Sequence, residues 1–412
     1  MIFYILRDFE NRGFSEIASR LRIAALSGMA VGISAPVFKP DGVSSLMMIL
    51  KKSFYPGEIM KPMIIDPCQD KRWDDFVNQH PFGWLYHTSI WKMVLEKSFH
   101  HIKANYFVLI DKKTYDIRAA LPCCHVKSWL TGNRLVSLPF TTLSDPLVNS
   151  PDEFRMLMAS AIDLSGKFKC RYMEIGVFQS GNCIENREIS ALKNYRVHHL
   201  TIDRDAEALK TRFKRTVRQS IRRAEAEAVH VSEGRGESDL SEFFTLYLKT
   251  RKRRLLPPQP YRFIRTIWRE LHPRGYLTLL MARHNGQTIG SAILLKFKER
   301  LSVEFLVSDE TSFHLRPNHI LVWNAIKMAR KEGYGVFDFG RTASGNRGLI
   351  KFKKSWGAQD ENLLHLYYPG EMCGNAARRE DTLKYKLVKK VCHMAPPPFF
   401  QGLGIFLYRH MG

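Results

Sequence analysis

Residues 337–358 read FDFGRTASGNRGLIKFKKSWGA, and this stretch decides the fold more than any other part of the sequence. Its apolar start predicts a strand that ends at Phe339, and a polar, glycine-rich loop follows over residues 340–348. Glycines let backbone N–H groups turn toward an anion, and Arg341 and Arg347 add positive charge to the loop. The spacing fits neither a Walker loop nor a dinucleotide-binding fingerprint. The pattern by itself leaves two interpretations, an anion-binding turn and a simple connecting loop.

This stretch ends the second copy of an internal repeat. Hydrophobic spacing predicts helices at residues 240–250 and 261–271, strands at 276–283, 289–297 and 301–307, a helix at 319–333 and a strand at 336–339. The same order occurs earlier, with helices around residues 73–77 and 89–98, strands at 106–110, 117–125 and 134–138, a helix at 151–167 and a strand at 172–177. Each copy places an antiparallel meander before a helix and a further strand. That order resembles the GNAT acyltransferase core, and other α+β folds share it.

Several short motifs occur in a fixed order along the two copies. Those of the second copy are Asp338-Phe339-Gly340-Arg341, Gly348-Leu349, Phe352-Lys353 and Trp356-Gly357-Ala358. Further segments are Pro139-Phe140, residues 145–147, 218–224 and 247–257, and Pro317-Asn318. Together they resemble the FemAB-type transferases over about residues 63–368. The chain is most similar to the compact FemAB-like proteins associated with exopolysaccharide and cell-envelope gene clusters.

The repeat and the resemblance predict an α+β protein with two tandem GNAT-like (acyl-CoA N-acyltransferase) domains that share a cleft. We assign an N-terminal extension to residues 1–62, the first domain to 63–200, the second domain with the active site to 201–370, and a basic, Pro-interrupted tail to 371–412. The extension has three interpretations: an accessory segment, a membrane-surface anchor, or sequence that precedes the true translation start at Met60 or Met63. We favour the third. The tail either packs on the body, which we favour, or touches a membrane surface.

The composition favours anionic partners. Lys and Arg outnumber Asp and Glu by 63 to 40, which gives a net charge of +23. Such a field attracts RNA, anionic lipid headgroups or phosphorylated molecules such as CoA, and it is also typical of general solubility. Residues 206–229 predict an amphipathic helix whose Arg215, Arg218 and Arg222 form either a solvated face or a ridge for a tRNA backbone. The seven cysteines lack metal-ligand spacing, so we predict free thiols and no metal.

The resemblance implies acyl transfer to an amine. Fem proteins move an aminoacyl group from tRNA to an amine on a peptidoglycan precursor, and GNAT relatives move an acyl group from CoA. Lys353 matches the lysine that the family places at the reacting centre, where a cation stabilises the charge of the tetrahedral transition state. Asp338 is the second catalytic candidate, either as a general base or as the group that orients Arg341, with a structural ion pair as the alternative.

Four residues are candidates for binding the donor. Arg316 and Asn318 stand at the start of the predicted helix 319–333, where free N–H groups suit a pyrophosphate. Arg341 and Asn346, in the glycine-rich loop, are expected to hold further anionic groups. The sequence lacks both the glycine-rich CoA turn of GNAT enzymes and the long coiled-coil arm of Fem enzymes. The donor therefore stays open between acyl-CoA and aminoacyl-tRNA.

These observations predict an acyltransferase or aminoacyltransferase that acts in the cytoplasm on an amine of a cell-envelope or exopolysaccharide precursor. The acceptor is a small molecule or precursor, and tRNA and a membrane surface are candidate partners. The alternative is a non-catalytic basic binding or scaffold module with a decayed acyltransferase site, which the missing glycines favour. A third option is an RNA-binding protein. The intact run from Phe337 to Ala358 favours the enzyme.

Overall fold

The structure, a computed structural model, describes residues 62–184, 189–202, 206–377 and 383–412. Residues Met60–Gly412 form one compact unit, and the predictions for residues 1–61 fall outside the described part. The strands are β1 (Pro62–Ile65), β2 (Ile102–Ile110), β3 (Ile117–Val126), β4 (Arg134–Ser137), β5 (Met173–Val177), β6 (Ser190–Thr201), β7 (His230–Gly234), β8 (Leu277–His284), β9 (Gln287–Phe297), β10 (Arg300–Ser308), β11 (Val336–Ala343) and β12 (Gln359–Tyr368). The helices are α1 (Arg72–Gln79), α2 (Ser89–Ser98), α3 (Pro151–Lys167), α4 (Ala206–Thr211), α5 (Arg215–Ala226), α6 (Glu237–Arg253), α7 (Tyr261–Leu271), α8 (Pro317–Lys331), α9 (Arg347–Ser355), α10 (Met372–Ala377), α11 (Leu383–Met394) and α12 (Pro397–Tyr408).

Within the described residues, all these strands join one mixed sheet in the order β1-β2-β3-β4-β5-β12-β6-β11-β10-β9-β8-β7. Neighbouring strands are antiparallel except in the parallel pairs β4–β5 and β10–β11. We call residues 62–202 the first half and residues 206–368 the second half. From either edge of the sheet, the first four strands form an antiparallel meander, and the fifth strand pairs with the fourth in parallel. The α+β fold with two tandem GNAT-like halves is therefore confirmed.

The two halves exchange their last strands. β6 follows β5 in the chain but pairs with β11 of the second half, whereas β12 follows β11 and pairs with β5 of the first half. The two exchanged strands also pair with each other at the centre of the sheet. The division into domains at residue 200 stays a prediction, because each half of the sheet is completed by a strand from the other.

Helices cover both faces of the sheet, and each face has its own apolar core. On one face, α1, α2, α6 and α7 build a single core across both halves, with buried Trp73, Trp91, Phe243 and Phe263. On the other face the core is divided, with α3 over the first half and α5 and α8 over the second. Helix α7 shows why the sequence folds this way, since its apolar residues recur at helical spacing and are buried together.

The helix predicted at residues 206–229 is in fact two helices, α4 and α5. The backbone is extended at Lys214, whose N–H donates to Ser355 O at 2.8 Å. Just before this break, Phe213 is buried against Trp356, with ring centroids 5.1 Å apart. Contacts with the end of α9 thus interrupt a sequence whose apolar spacing alone would continue the helix.

The C-terminal tail packs on the body through α12. Phe400, Gly404 and Tyr408 are its buried residues, and Arg251 of α6 donates to the Tyr408 hydroxyl at 3.4 Å. A Cβ at Gly404 would lie 2.2 Å from Pro258 O, so the helix needs glycine at this close approach. In the described part of the chain, no helix is long and apolar enough to cross a membrane.

Candidate active site

The parallel strands β10 and β11 pair over a short stretch and then stop. Their pairing covers Arg300↔Val336, Leu301↔Phe337 and Ser302↔Asp338, although β10 continues to Ser308 and β11 to Ala343. On its other side β11 pairs with β6, and the register of this pairing shifts between Asp338 and Arg341. Gly340 lies in this bulge with a φ of 71°, a conformation that favours glycine. We call the place where the two strands part the β10–β11 split.

The prediction of a loop from residue 340 was wrong in its extent. Strand β11 runs through the bulge to Ala343, and α9 begins at Arg347. Asn346 caps this helix, because its side chain accepts a hydrogen bond from Leu349 N at 3.1 Å. The glycine-rich stretch is therefore a strand, a turn of three residues and a helix start, and the contacts of Asn346 are those of a helix cap.

Lys353 projects from α9 back to the bulge. Its side chain is 5% exposed, and Nζ donates to Gly340 O at 2.7 Å and to Arg341 O at 3.3 Å. Burial lowers the pKa of the Lys353 amine to about 7, with Asp338 opposing the shift and Arg254 adding to it. The amine therefore exchanges its proton near neutral pH, which few lysines do.

Asp338 is fully buried at the base of the split. Its Oδ1 accepts from Gly340 N at 2.7 Å, and its Oδ2 accepts from Arg300 Nη1 at 3.2 Å. The structure thus pairs Asp338 with Arg300 rather than with Arg341. Its hydrogen bonds hold the bulge, and its charge favours the protonated form of Lys353.

A second carboxylate, Glu304, lies on β10 just past the paired stretch. The hydroxyl of Tyr86, which comes from the first half, donates to Glu304 Oε2 at 2.5 Å. Burial raises the pKa of Glu304, whereas the Tyr86 hydrogen bond and Arg341 oppose that shift. Burial also raises the pKa of Tyr86, so this hydroxyl keeps its proton. The pair brings residues of both halves together at the split.

Positive side chains surround the split. Arg341 is exposed and lies over the Tyr195 ring, 5.0 Å from its centroid. At the end of α6, Arg253 lies over the Phe313 ring at 4.8 Å. The next residue, Arg254, has a lowered pKa. Burial is the main cause, and the positive charges of Arg253 and Arg251 add to it. This basic rim suits an anionic donor.

Arg316 and Asn318 lie at the start of α8, apart from the bulge. Arg316 is exposed in the left-handed conformation, with a φ of 59°, at a position where glycine would be unstrained. Asn318 Oδ1 is buried and has no hydrogen-bond partner among the described residues. His319 stacks on Trp356 at 6.0 Å and meets Phe352 at 5.4 Å, so the start of α8 lies beside α9.

The structure therefore groups the predicted site residues unevenly. Lys353, Asp338 and Arg341 meet at the bulge, Asn346 caps the helix that carries Lys353, and the two residues of α8 lie next to that helix. Sequence reasoning missed Tyr86, Glu304, Arg300 and Arg254. One signal was available for Glu304, an isolated carboxylate in the apolar strand LSVEFLVS. The described residues contain no group of three His, Cys, Asp or Glu that could hold a metal.

Comparison with known proteins agrees with this geometry. Residues 211–354 match the family model of the acetyltransferase (GNAT) domain. The fold is similar to the crystal structure of FemX, with a TM-score of 0.62 and 17% identity over 75% of this chain and 97% of that one. It is also similar to the C-terminal domain of a protein assigned as a lysylphosphatidylglycerol synthetase from Agrobacterium fabrum, with a TM-score of 0.51 and 13% identity over 76% and 95% of the two chains. No curated protein matches the chain in sequence.

The chain is thus an acyltransferase that carries a GNAT domain in its second half. The fold of both halves together is similar to that of FemX, which is matched over 97% of its length. The matched domain contains the β10–β11 split, Lys353 and Asp338, whereas Tyr86 comes from outside it.

Proposed function

We propose that the chain transfers an acyl or aminoacyl group to an amine on a cell-envelope or exopolysaccharide precursor, and that the β10–β11 split is the reacting centre. The observation that carries the proposal is the buried Lys353 amine at the Gly340 bulge, with its pKa lowered to about 7. The half-buried carboxylate Glu304 has a raised pKa and interacts with Asp338 and Arg341 of the same bulge. A cation that stabilises the oxyanion and a base that accepts the amine proton both accelerate acyl transfer to an amine.

In the proposed reaction, the acceptor nitrogen attacks the carbonyl carbon of the donor and forms a tetrahedral oxyanion. A developing negative charge raises the pKa of the nearby Lys353, so the amine holds its proton when the oxyanion needs a cation. The C–S bond of a thioester, or the C–O bond of an aminoacyl ester, then breaks. Glu304 accepts the proton that the acceptor nitrogen loses, and the leaving sulfur or oxygen takes up a proton in return.

Tyr86 and Asp338 position these two groups in the proposal. Because the Tyr86 hydroxyl remains protonated, it donates to Glu304 and fixes the direction of the carboxylate. Asp338 holds Gly340 in the bulge and thereby places the carbonyl group to which Lys353 binds. The first half thus contributes to a site whose other members belong to the second half.

Unpaired polar atoms support a polar donor in the split. Buried side-chain atoms without a hydrogen-bond partner among the described residues occur on the elements around it, namely Ser302 Oγ, Asn318 Oδ1, Thr342 Oγ1 and Trp356 Nε1. Buried polar groups are normally paired, so a donor with amide or hydroxyl groups in the split would supply partners for these atoms. Arg316, Arg341 and the end of α6 would meet its phosphates.

Both donor classes remain within the proposal. The pantetheine chain of an acyl-CoA and the terminal adenosine of an aminoacyl-tRNA each combine amides or hydroxyls with phosphate. The exposed Arg215, Arg222 and Arg223 of α5 offer a further surface for a tRNA backbone. We place the reaction in the cytoplasm, in contact with the membrane surface where a lipid-linked precursor would be met.

The first test is a calorimetric titration of the full chain with acetyl-CoA, longer acyl-CoAs, and charged and uncharged tRNA. Saturable CoA binding that Arg316→Ala weakens would assign an acyl-CoA donor, and preference for charged over uncharged tRNA would assign an aminoacyl donor. Binding of none of them would overturn the proposal and favour a scaffold.

The second test uses Lys353→Ala with the donor so identified. We expect the transfer rate to fall by about a hundredfold, because the transition state loses its cation. Lys351→Ala is the matched control, since Lys351 is an exposed lysine on the same helix and should leave the rate unchanged. Equal rates for the two variants, with both folded, would remove Lys353 from the mechanism.

A further inference from the structure

Large apolar side chains are exposed where the turn after β3 meets the C-terminal helix. In the turn, Trp129 is 80% exposed and Leu130 is 44% exposed. In α12, Phe399, Ile405 and Phe406 are 59%, 48% and 46% exposed. Phe399 and Phe406 are seven residues apart, so they share one face of the helix. A protein surface that contacts only water rarely exposes this much apolar area in one patch.

These side chains form one surface because His410 holds the turn and α12 together. Its ring lies 5.1 Å from the Trp129 ring and 5.3 Å from the Phe406 ring. Its Nδ1 is 3.0 Å from Ser128 Oγ, and its carbonyl oxygen accepts from Thr131 Oγ1 at 3.0 Å. We call the exposed side chains of Trp129, Leu130, Phe399, Ile405 and Phe406 the Trp129 face.

The two segments that form this face carry charges of one sign. Residues 117–144, which include the turn, and residues 383–412, which include α12, contain no Asp or Glu. Exposed cations flank the apolar residues, with Lys127 in the turn and Arg409 directly after α12. Lys390 adds a further exposed cation on α11. An apolar surface with an aromatic residue and a border of Lys and Arg matches an anionic lipid interface.

The opposite side of α12 contacts the end of α6. Tyr408 accepts a hydrogen bond from Arg251 at the end of α6, the helix that also carries Arg253. One helix of three turns therefore separates the exposed apolar face from the basic rim. A surface bound to this face would therefore lie one helix away from the end of α6 and its basic side chains.

We propose that the Trp129 face docks the protein on a bilayer that contains anionic phospholipids. The proposal deepens the function proposed above, since it names the surface that brings the site to a lipid-linked acceptor. Its test requires no donor or acceptor, so it can fail or succeed independently of catalysis. The attachment is peripheral, through side chains at the lipid–water interface.

The experiment is co-sedimentation of the full chain with vesicles of equal parts phosphatidylglycerol and phosphatidylcholine, and with vesicles of pure phosphatidylcholine. We expect binding to the anionic vesicles that weakens as salt is added. Trp129→Ala combined with Phe406→Ala should lower the affinity roughly tenfold or more, because two aromatic side chains no longer enter the interface. Lys127→Gln and Arg409→Gln should each lower it about fivefold, and only for the anionic vesicles.

Tyr115→Ala is the matched control. Tyr115 is an aromatic residue that is 70% exposed, and it lies at the other end of β3 from the turn with Trp129. The ten residues of β3 separate the two positions by roughly 30 Å, so this variant should bind vesicles like the wild type.

Three outcomes would overturn the docking proposal. The wild type does not bind the anionic vesicles, or it binds them as tightly after Trp129 and Phe406 are replaced. In the third outcome, the wild type does not bind vesicles, and light scattering shows a dimer that the double variant converts to a monomer. The Trp129 face would then be an interface between two copies of the chain. Lys353→Ala should bind vesicles like the wild type, so a failure of catalysis is read separately from a failure of docking.

Discussion

The two parallel strand pairs, β4–β5 and β10–β11, occupy equivalent places in the two halves but end differently. In the first half, residues 138–147 lie against the strand ends, and we call them the plug. Ser144 of the plug packs so closely on Gly176 that a Cβ added to this glycine would lie 2.5 Å from Ser144 Oγ. Asp145 Oδ1 accepts hydrogen bonds from the backbone N–H groups of residues 178–180 at 2.7–2.9 Å. The β10–β11 split has Lys353 and Glu304 instead. The first half thus binds its own carboxylate where the second half presents reactive groups.

The comparison indicates how one fold can serve two purposes. N–H groups after the end of β5 attract an anion, and the chain itself supplies that anion as Asp145. Burial raises the pKa of Asp145, and the hydrogen bonds from residues 178–180 oppose the shift. The first half then provides structure and one side chain, Tyr86, to the site in the second half.

The largest effect we predict comes from removing the plug carboxylate. Asp145→Ala leaves three N–H groups without their acceptor, which should lower the free energy of unfolding by about 3 kcal/mol or more. The transfer rate per folded molecule should stay close to that of the wild type. Urea denaturation measures the first quantity, and Asp163→Ala, at an exposed carboxylate of the same half, is the control. A loss of activity without a loss of stability would break the contrast between the halves.

The next effect concerns the reacting carboxylate. Glu304→Gln keeps a partner for the Tyr86 hydroxyl but removes the base, so the rate should fall by about a hundredfold. Glu299→Gln, at an exposed position just before β10, should leave the rate unchanged. Steady-state kinetics with the identified donor decide the point. A Glu304→Gln enzyme with the wild-type rate would leave the second half without a base of its own.

The third effect is the pH dependence of stability that Lys353 contributes. Its pKa falls from an unfolded value near 10.5 to about 7 in the folded state. Between these values the unfolded chain binds more protons, so stability should rise with pH by up to about 1.4 kcal/mol per pH unit from this group. Lys353→Met should therefore be more stable than the wild type at neutral pH, and the difference should shrink toward pH 9. Denaturant titrations of both proteins at several pH values test this, and a constant difference would contradict it.

Local pattern predicted much of the fold. Helices α3 and α7 have the predicted bounds, and strands β2 to β4 and β8 to β10 agree within a few residues, because apolar side chains recur there at the period of a helix or a strand. The outer meander strands β1 and β7 were not predicted. Strands β6 and β12 were not predicted either. Both mix polar and apolar residues without a clear period, and their partners lie in the other half of the chain.

The candidate site was predicted only where residues are close in the sequence. Lys353, Asp338 and Arg341 lie within sixteen positions and meet at the bulge as a motif. Tyr86 and Glu304 are 218 positions apart, and no spacing rule connects residues at that distance. Asn346 was predicted to bind an anion, but its side chain accepts the hydrogen bond of a helix cap. Polar residues near a helix start allow both roles, and the choice depends on where the helix begins.

The exchange of β6 and β12 also affects how the chain is made. The edge of β5 pairs with β12, which begins at Gln359, so during synthesis this edge stays uncovered while the ribosome adds the 182 residues after Val177. At 5–20 residues per second, this takes roughly ten to forty seconds. An uncovered strand edge binds other strands, including those of neighbouring nascent chains. A chaperone that shields this edge until β12 emerges would therefore raise the yield of folded protein.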